Sequence, residues 1–289
     1  MKVRLTTFAR PDKDLLNKFS QRYLERTTTW KDLEFVTNES YDKLVILTYP
    51  YKDTLERGYD PRKAITFLTE PSVSFYAKPH PSSGVLDVHL HLPFLPKEIL
   101  GDNTTGGNGK LIDKTKLFSC VVSELAAFSG HKARLEFIYA LDCLVEEGLD
   151  IYGRPSHGKF FSLLNNYKGF LSDKYEGLWN YAYHFACENT FEKGYFTEKL
   201  IDPIITETLC FYDGCPNIEQ YVDPRALLKI DVNRIEYSIE IILKAIYDNR
   251  RNTQLPFILK EKKRFLTDLH PFNMIWMAVH EKDVNSLYN

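Results

Sequence analysis

The sequence predicts an α/β protein of two units, each built on a parallel sheet. Three observations predict it. Short apolar runs of strand length alternate with longer runs of helical period, the pattern that β-α-β connections leave in a chain. A polar, Gly-rich stretch, Gly101-Asp102-Asn103-Thr104-Thr105-Gly106-Gly107-Asn108-Gly109-Lys110, interrupts that alternation, and such composition makes a loop or linker. The pieces on either side, 1–105 and 116–289, are each of domain size in a chain of 289 residues, with the last helix able to pack back on the first piece.

Composition sets the outer limits. Apolar residues make up 44%, charged residues 26% and aromatics 14%, which suits a soluble globular chain and excludes disordered, collagen-like and coiled-coil readings. Lys and Arg number 37 against 39 Asp and Glu, a net charge of −2, so no basic excess points to nucleic acid. No stretch approaches the roughly 20 apolar residues of a membrane helix, and residues 1–8 read as a short strand, not a signal peptide. The cysteines are Cys120, Cys143, Cys187, Cys210 and Cys215, without C-x-x-C or Cys/His metal spacing. Buried free thiols in a reducing, cytoplasmic compartment are expected. The 18 Tyr and 19 Phe serve equally well as core or as the walls of a ligand cleft.

The strand candidates are 3–7, 44–48, 64–68, 85–90, 117–122, 149–152, 181–186, 209–212 and 227–230. Helical patterns lie between the later ones. Leu135, Ile138, Leu141 and Val145 form one stripe after Gly130-His131; 199–206 continues from a capping Thr197; 235–245 is amphipathic. Pro71 ends the run 64–68 and leaves Glu70 at its carboxyl edge, the side on which ligands bind in α/β sheets. Asp12-Lys13-Asp14 has the D-x-D spacing of a metal-binding acidic pair but follows no apolar strand end, so it reads as a helix cap and a solvated face.

The densest cluster of functional residue types is Cys187-Glu188-Asn189-Thr190-Phe191-Glu192-Lys193-Gly194-Tyr195-Phe196-Thr197-Glu198-Lys199-Leu200, between a strand pattern and a helix pattern. Gly194 allows an unusual turn. Thr197 caps the helix, with Glu198 and Lys199 in its first turn. Free N–H groups and partial positive charge at a helix N-terminus suit a phosphate. Lys199 adds a full charge, and Glu198 can accept hydrogen bonds from sugar hydroxyls. The same residues also describe an ordinary helix start with a solvated charge pair.

This stretch resembles the donor-binding signature of the alpha-1,3-fucosyltransferase family, approximately F-E-N-S, a spacer, then Y-[IV]-T-E-K-L. Other blocks follow in the family's order. Leu149-Asp150-Ile151-Tyr152-Gly153-Arg154 resembles its D-V-Y-G-R strand end. Val122-Ser123-Glu124, with Arg134 beyond, resembles its S-N segment and following arginine. Residues 211–224 resemble its turn and N-Y-E-x-F segment. Together the blocks cover 117–230. In the first half, Thr66-Phe67-Leu68-Thr69-Glu70-Pro71-Ser72 resembles the family strand that ends in a glutamate. The chain departs from the pattern at Cys187 in place of Phe and Glu124 in place of Asn. Val85-Leu86-Asp87-Val88-His89-Leu90-His91-Leu92 stands near the place of the family's N-W-T-x-S-Y-R block.

The resemblance implies a GT-B-like fold, two Rossmann-like domains facing a cleft, in a soluble form of bacterial or viral type. It implies inverting transfer of a sugar, fucose from GDP-fucose, to a glycan or glycoprotein hydroxyl. Another donor such as UDP-xylose, or a non-catalytic carbohydrate-binding relative, stays open beside it. It implies Glu70 as general base and Arg134, Gly153, Asn189, Tyr195, Thr197, Glu198 and Lys199 as donor-binding residues, with no obligatory metal where protein cations neutralise the leaving group. Each has a structural alternative. Glu70 can be a surface residue before a turn, and Arg134 can pair with Glu136 or Asp142 on its own helix. Tyr195 can be core, Asn189 a turn cap, and Gly153 a strand end. His89 and His91 alternate on one strand face, too few for a metal site, and the role of His157 is open.

Overall fold

The computed structural model describes residues 1–78, 80–82, 84–93, 95, 111–126, 129–145, 147–156 and 158–288; the Gly-rich stretch 101–110 and His157 lie outside them. The chain divides into two compact units, Met1–Asn103 with Leu266–Asn289, and Thr104–Phe265.

The first unit carries a six-stranded sheet. Its strands are β1 (Lys2–Thr7), β2 (Thr29–Trp30), β3 (Leu33–Val36), β4 (Lys43–Leu47), β5 (Ala64–Leu68) and β6 (Gly84–His89), in the order β2-β3-β1-β4-β5-β6. Only the β2–β3 pair is antiparallel. Val45 and Ile46 at the centre of β4 are wholly buried, because parallel strands are covered on both faces and need continuous apolar runs. Helices α1 (Asp12–Tyr23) and α2 (Lys52–Arg57) follow β1 and β4.

The start of α1 corrects the reading of Asp12-Lys13-Asp14. Pro11 occupies the cap position, and no side chain caps the helix. Asp12 is buried and accepts from Arg4 Nε at 2.7 Å, while Arg4 also meets Glu39 at 2.7 Å and Thr54 at 3.1 Å. A buried guanidinium needs charged partners, and Asp12 is one of them. Lys13 and Asp14 are solvated as expected.

The second unit repeats the plan with every strand parallel. It contains β7 (Lys116–Val121), α3 (Ser129–Leu144), β8 (Leu149–Tyr152), β9 (Tyr167–Gly169), β10 (Tyr181–Cys187), α4 (Glu198–Ile205), β11 (Leu209–Asp213), β12 (Leu227–Lys229), α5 (Ile235–Tyr247) and α6 (Arg250–Leu266). The sheet order is β12-β11-β10-β7-β8-β9. The chain builds outward from β7 to β9, then returns to lay β10, β11 and β12 on the other side. That is the doubly wound Rossmann order, and its direction reverses between β7 and β10, where such sheets bind ligands at the carboxyl ends.

All nine predicted strands are present, with ends displaced by no more than one residue; β2, β3 and β9 are additional and short. His89 closes β6 and His91 lies beyond it, both buried, so the expected alternation along one strand does not reach His91. All five cysteines are free thiols, and Cys143 alone is exposed.

The chain ends in the first unit through α7 (Pro271–Val279). Phe272 is wholly buried, its ring edge-on to Phe35 at 4.8 Å, and Trp276 Nε1 donates to Asp32 at 2.6 Å. Phe272→Ala is expected to cost about 3–5 kcal/mol of stability, as cavity-forming aromatic truncations do. Urea denaturation measures it, and an unchanged midpoint would mean that α7 is not part of this core.

Candidate donor-binding site

The carboxyl ends of β7, β8 and β10 open on a cavity of about 460 Å³. Cys120, Val121, Val122 and Ser123 line it from β7, Gly153 and Arg154 from the turn after β8, and Ala186, Cys187 and Asn189 from β10. Arg134 comes from α3, Glu198, Lys199 and Asp202 from α4, and Lys174 from the turn before β10. The cavity therefore sits at the reversal point of the sheet.

Arg134 is 5% exposed. It donates to Asn189 Oδ1 at 3.1 Å and to the Ser123 carbonyl at 3.3 Å, while its buried Nε has no hydrogen-bond partner among the described residues. It pairs with neither Glu136 nor Asp142; Asp142 instead accepts the backbone N–H groups of Asn165 and Asn166. Burial works against the Arg134 charge and lowers its pKa from the ordinary value. A buried cation with one donor unengaged is suited to an anionic ligand.

The α4 terminus differs from the expected open anion site. The Thr197 N–H donates to Glu188 Oε1 at 2.8 Å, and the Lys199 N–H to Thr197 Oγ1 at 3.3 Å. The Thr197 hydroxyl lies 2.9 and 3.0 Å from the two Glu188 oxygens, and Lys199 Nζ lies 3.0 Å from Glu188 Oε2. Glu188 is wholly buried and takes the N–H of the cap residue Thr197, while Thr197 itself accepts from the N–H groups of Lys199 and Leu200. Burial opposes the Lys199 charge, but Glu188 and then Glu198 outweigh it and hold the ammonium above its ordinary pKa. Burial likewise opposes the Glu198 charge, but Lys199 and Lys174 prevail and its carboxyl lies below the usual range.

Five of the expected donor residues, Arg134, Gly153, Asn189, Glu198 and Lys199, thus meet at one cavity. Thr197 stands behind Lys199, bonded to Glu188. Tyr195 is buried at 5% exposure and is not in the lining. Glu70 belongs to the first unit, two residues past β5. Lys174, ion-paired with the buried Asp202, joins the lining without having been expected; nothing in its local spacing distinguishes it. Glu188 sat within the cluster, and the combination of a strand-end acid with a downstream capping Thr was the signal available for it. Glu124 turns away to the loop after β8, accepting from Ser156 N–H at 2.7 Å; that bond is the main reason its carboxyl lies below the usual range.

Gly153 has a packing reason to be glycine. A Cβ there would lie 2.2 Å from both Phe161 Cζ and the Val122 carbonyl oxygen. Gly153→Ala is expected to cost about 1–3 kcal/mol, the scale of overpacking, because a backbone carbonyl on the neighbouring strand end cannot swing away. Chemical denaturation tests this; unchanged stability would show that the Val122–Phe161 contact yields.

No family model matches the chain. Over 94 residues it is 29% identical to the alpha-(1,3)-fucosyltransferase FucT of Helicobacter pylori, a stretch that covers 29% of this chain and 20% of that protein. In structure it is similar over 99% of its length to an alpha1,3-fucosyltransferase with GDP, at 16% identity, 92% coverage of that chain and a TM-score of 0.57. It is also similar to the T4 phage BGT in complex with its UDP-glucose substrate, at 10% identity, covering 96% of this chain and 99% of that one, with a TM-score of 0.54. The fold is the GT-B fold of glycosyltransferases. Within that class, the resemblance in both sequence and structure runs to the alpha-1,3-fucosyltransferases.

Proposed function

We propose that the protein is an inverting glycosyltransferase that moves fucose from GDP-fucose to a hydroxyl of a glycan or glycoprotein. The observation that carries this reading is the meeting of Arg134, Lys199 and Lys174 at the switch-point cavity of the second sheet. In the proposed reaction the acceptor oxygen bonds to the anomeric carbon as the bond to the diphosphate breaks. Arg134 and Lys199 stabilise the charge that develops on the departing phosphate oxygens. Glu198 and Asn189 accept hydrogen bonds from the sugar and ribose hydroxyls. Glu70 takes the acceptor proton. In this reading the protein cations Arg134 and Lys199 supply the neutralising charge. No helix among them is long and apolar enough to cross a membrane, and five free thiols suit a reducing, cytoplasmic setting.

A thermal-shift panel of GDP-fucose, GDP, UDP-xylose and UDP-glucose tests the donor. A ligand at a hundred times its dissociation constant stabilises by about 2.7 kcal/mol. GDP-fucose and GDP should shift the transition and the UDP compounds should not. A response to UDP-xylose alone would reassign the donor. A response to none, with binding to glycans retained, would make the protein a carbohydrate-binding relative without transferase activity. Release of fucose from GDP-fucose, followed by NMR, reports the stereochemistry.

A further inference from the structure

We infer that Glu188 is a positioning residue of the donor site: it holds the capping Thr197 and the ammonium of Lys199 in place at the start of α4. The inference rests on the donor reading of the cavity. Glu188 is the first residue after β10 and is wholly buried. A lone carboxylate there would be costly, since burial disfavours its charge. It is served instead by the Thr197 N–H at 2.8 Å, the Thr197 hydroxyl at 2.9 Å and Lys199 Nζ at 3.0 Å. Thr197 Oγ1 in turn accepts from Lys199 Nζ at 3.2 Å. Every bond of its carboxylate joins Glu188 to a residue of the α4 start, so the acid locks two side chains that neighbour the cavity. Gly214 lets it fit, because a Cβ there would lie 2.5 Å from Glu188 Cγ.

The chemical consequence concerns Lys199. An ammonium 26% exposed at the wall of a cavity loses hydration and needs a fixed counter-charge to stay protonated when no donor is bound. Glu188 provides it from below, leaving the cavity side for the diphosphate. The other charged or titratable groups acting on this pair are Glu198 on α4, Arg134 and His131 on α3, Cys187 at the end of β10, and Cys210 and Tyr212 on β11. Lys174 faces Glu198 from the turn before β10 and is itself held by Asp202. These remain in place when Glu188 alone is changed.

The test is GDP affinity by calorimetry from pH 7 to pH 9.5. Glu188→Gln keeps the shape and removes the counter-charge. Between those limits its affinity should fall at least about twofold more than that of the unaltered protein, the loss at pH 9.5 when an ammonium of ordinary pKa is lowered by about one unit. Adding Lys199→Arg, whose guanidinium cannot deprotonate in this range, should flatten the profile again. Parallel profiles for the unaltered protein and Glu188→Gln would overturn the inference. Pulsed amine labelling of the unaltered protein, read by peptide mass, gives a second measurement that survives misfolding of the variant. Lys199 should become reactive at higher pH than the exposed lysines as a group, and reactivity at the same pH or lower would overturn the inference. Absence of GDP binding by the unaltered protein would overturn the donor reading, and this inference with it, before any variant is made.

Discussion

Glu70→Gln should lower transfer by roughly a hundredfold or more, the usual scale for a lost acid–base group, while donor affinity stays within a few fold. The amide preserves size and much of the hydrogen bonding but cannot take a proton at neutral pH. Glu70 follows β5 by two residues, at the carboxyl end of a parallel sheet, and the preceding Thr69 is pinned there. Its N–H donates to Thr48 Oγ1 at 2.8 Å, and the two hydroxyls lie 2.8 Å apart. That anchoring fixes the backbone from which Glu70 projects, so the substitution should hardly move the melting temperature. Initial rates with GDP-fucose, alongside calorimetry with GDP, measure both quantities. Retained transfer would assign the base to another carboxylate. Lost donor affinity together with lost transfer would make Glu70 a donor-site residue.

Lys199→Ala should have two effects of different origin. Loss of a charge-assisted contact to the diphosphate costs about 1.5–3 kcal/mol, or about 10- to 150-fold in GDP affinity. The same change strands the wholly buried Glu188, and removing one partner of a buried ion pair costs about 3–5 kcal/mol. The variant should therefore be less stable as well as weaker in binding, and the two losses separate by pH. Burial already holds the Glu188 carboxyl above its ordinary range with Lys199 countering the shift, and the loss of Lys199 raises it further. A carboxyl raised in this way destabilises the folded state as pH climbs from the unfolded to the folded value. The stability deficit should thus shrink toward acid pH and be full at neutral pH. Urea denaturation at pH 5 and pH 7.5 reads this, and a deficit independent of pH would mean that Glu188 is not the stranded group. Arg134→Ala should weaken GDP binding similarly, and the double variant should fall short of the sum if both cations hold the same phosphates.

Two strands were legible to the residue. The runs 64–68 and 149–152 coincide with β5 and β8, and both strands are pinned on two sides by parallel neighbours. Short, mostly apolar runs bounded by polar residues carry that information locally. Helix α6 was not legible for a related reason. Its buried face includes Arg251, Gln254, Glu261 and Lys262 beside Ile258 and Phe265, so no apolar stripe marks it. Lys262 can be buried only because Glu207, wholly buried at the end of α4, lies 2.8 Å away. That partner is far off in sequence, and periodicity cannot reveal it. Strands β2, β3 and β9 were too short to stand out.

What the sequence determined by itself was local: the alternation of strands and helices, the capping of α4 by Thr197, and the grouping of Asn189, Glu198 and Lys199 in one segment after a strand. These depend on neighbours a few residues apart, which spacing records directly. The tertiary structure alone decided what those groups face. It set β10 beside β7, and so brought Arg134 to within 3.1 Å of Asn189. It also set Lys174 against Asp202 at the same cavity. It buried Glu188 beside the α4 start, where the acid anchors Thr197 and Lys199. Burial and partnership depend on which strands become adjacent. Strand order is the outcome of packing the whole sheet, so a linear pattern does not contain it.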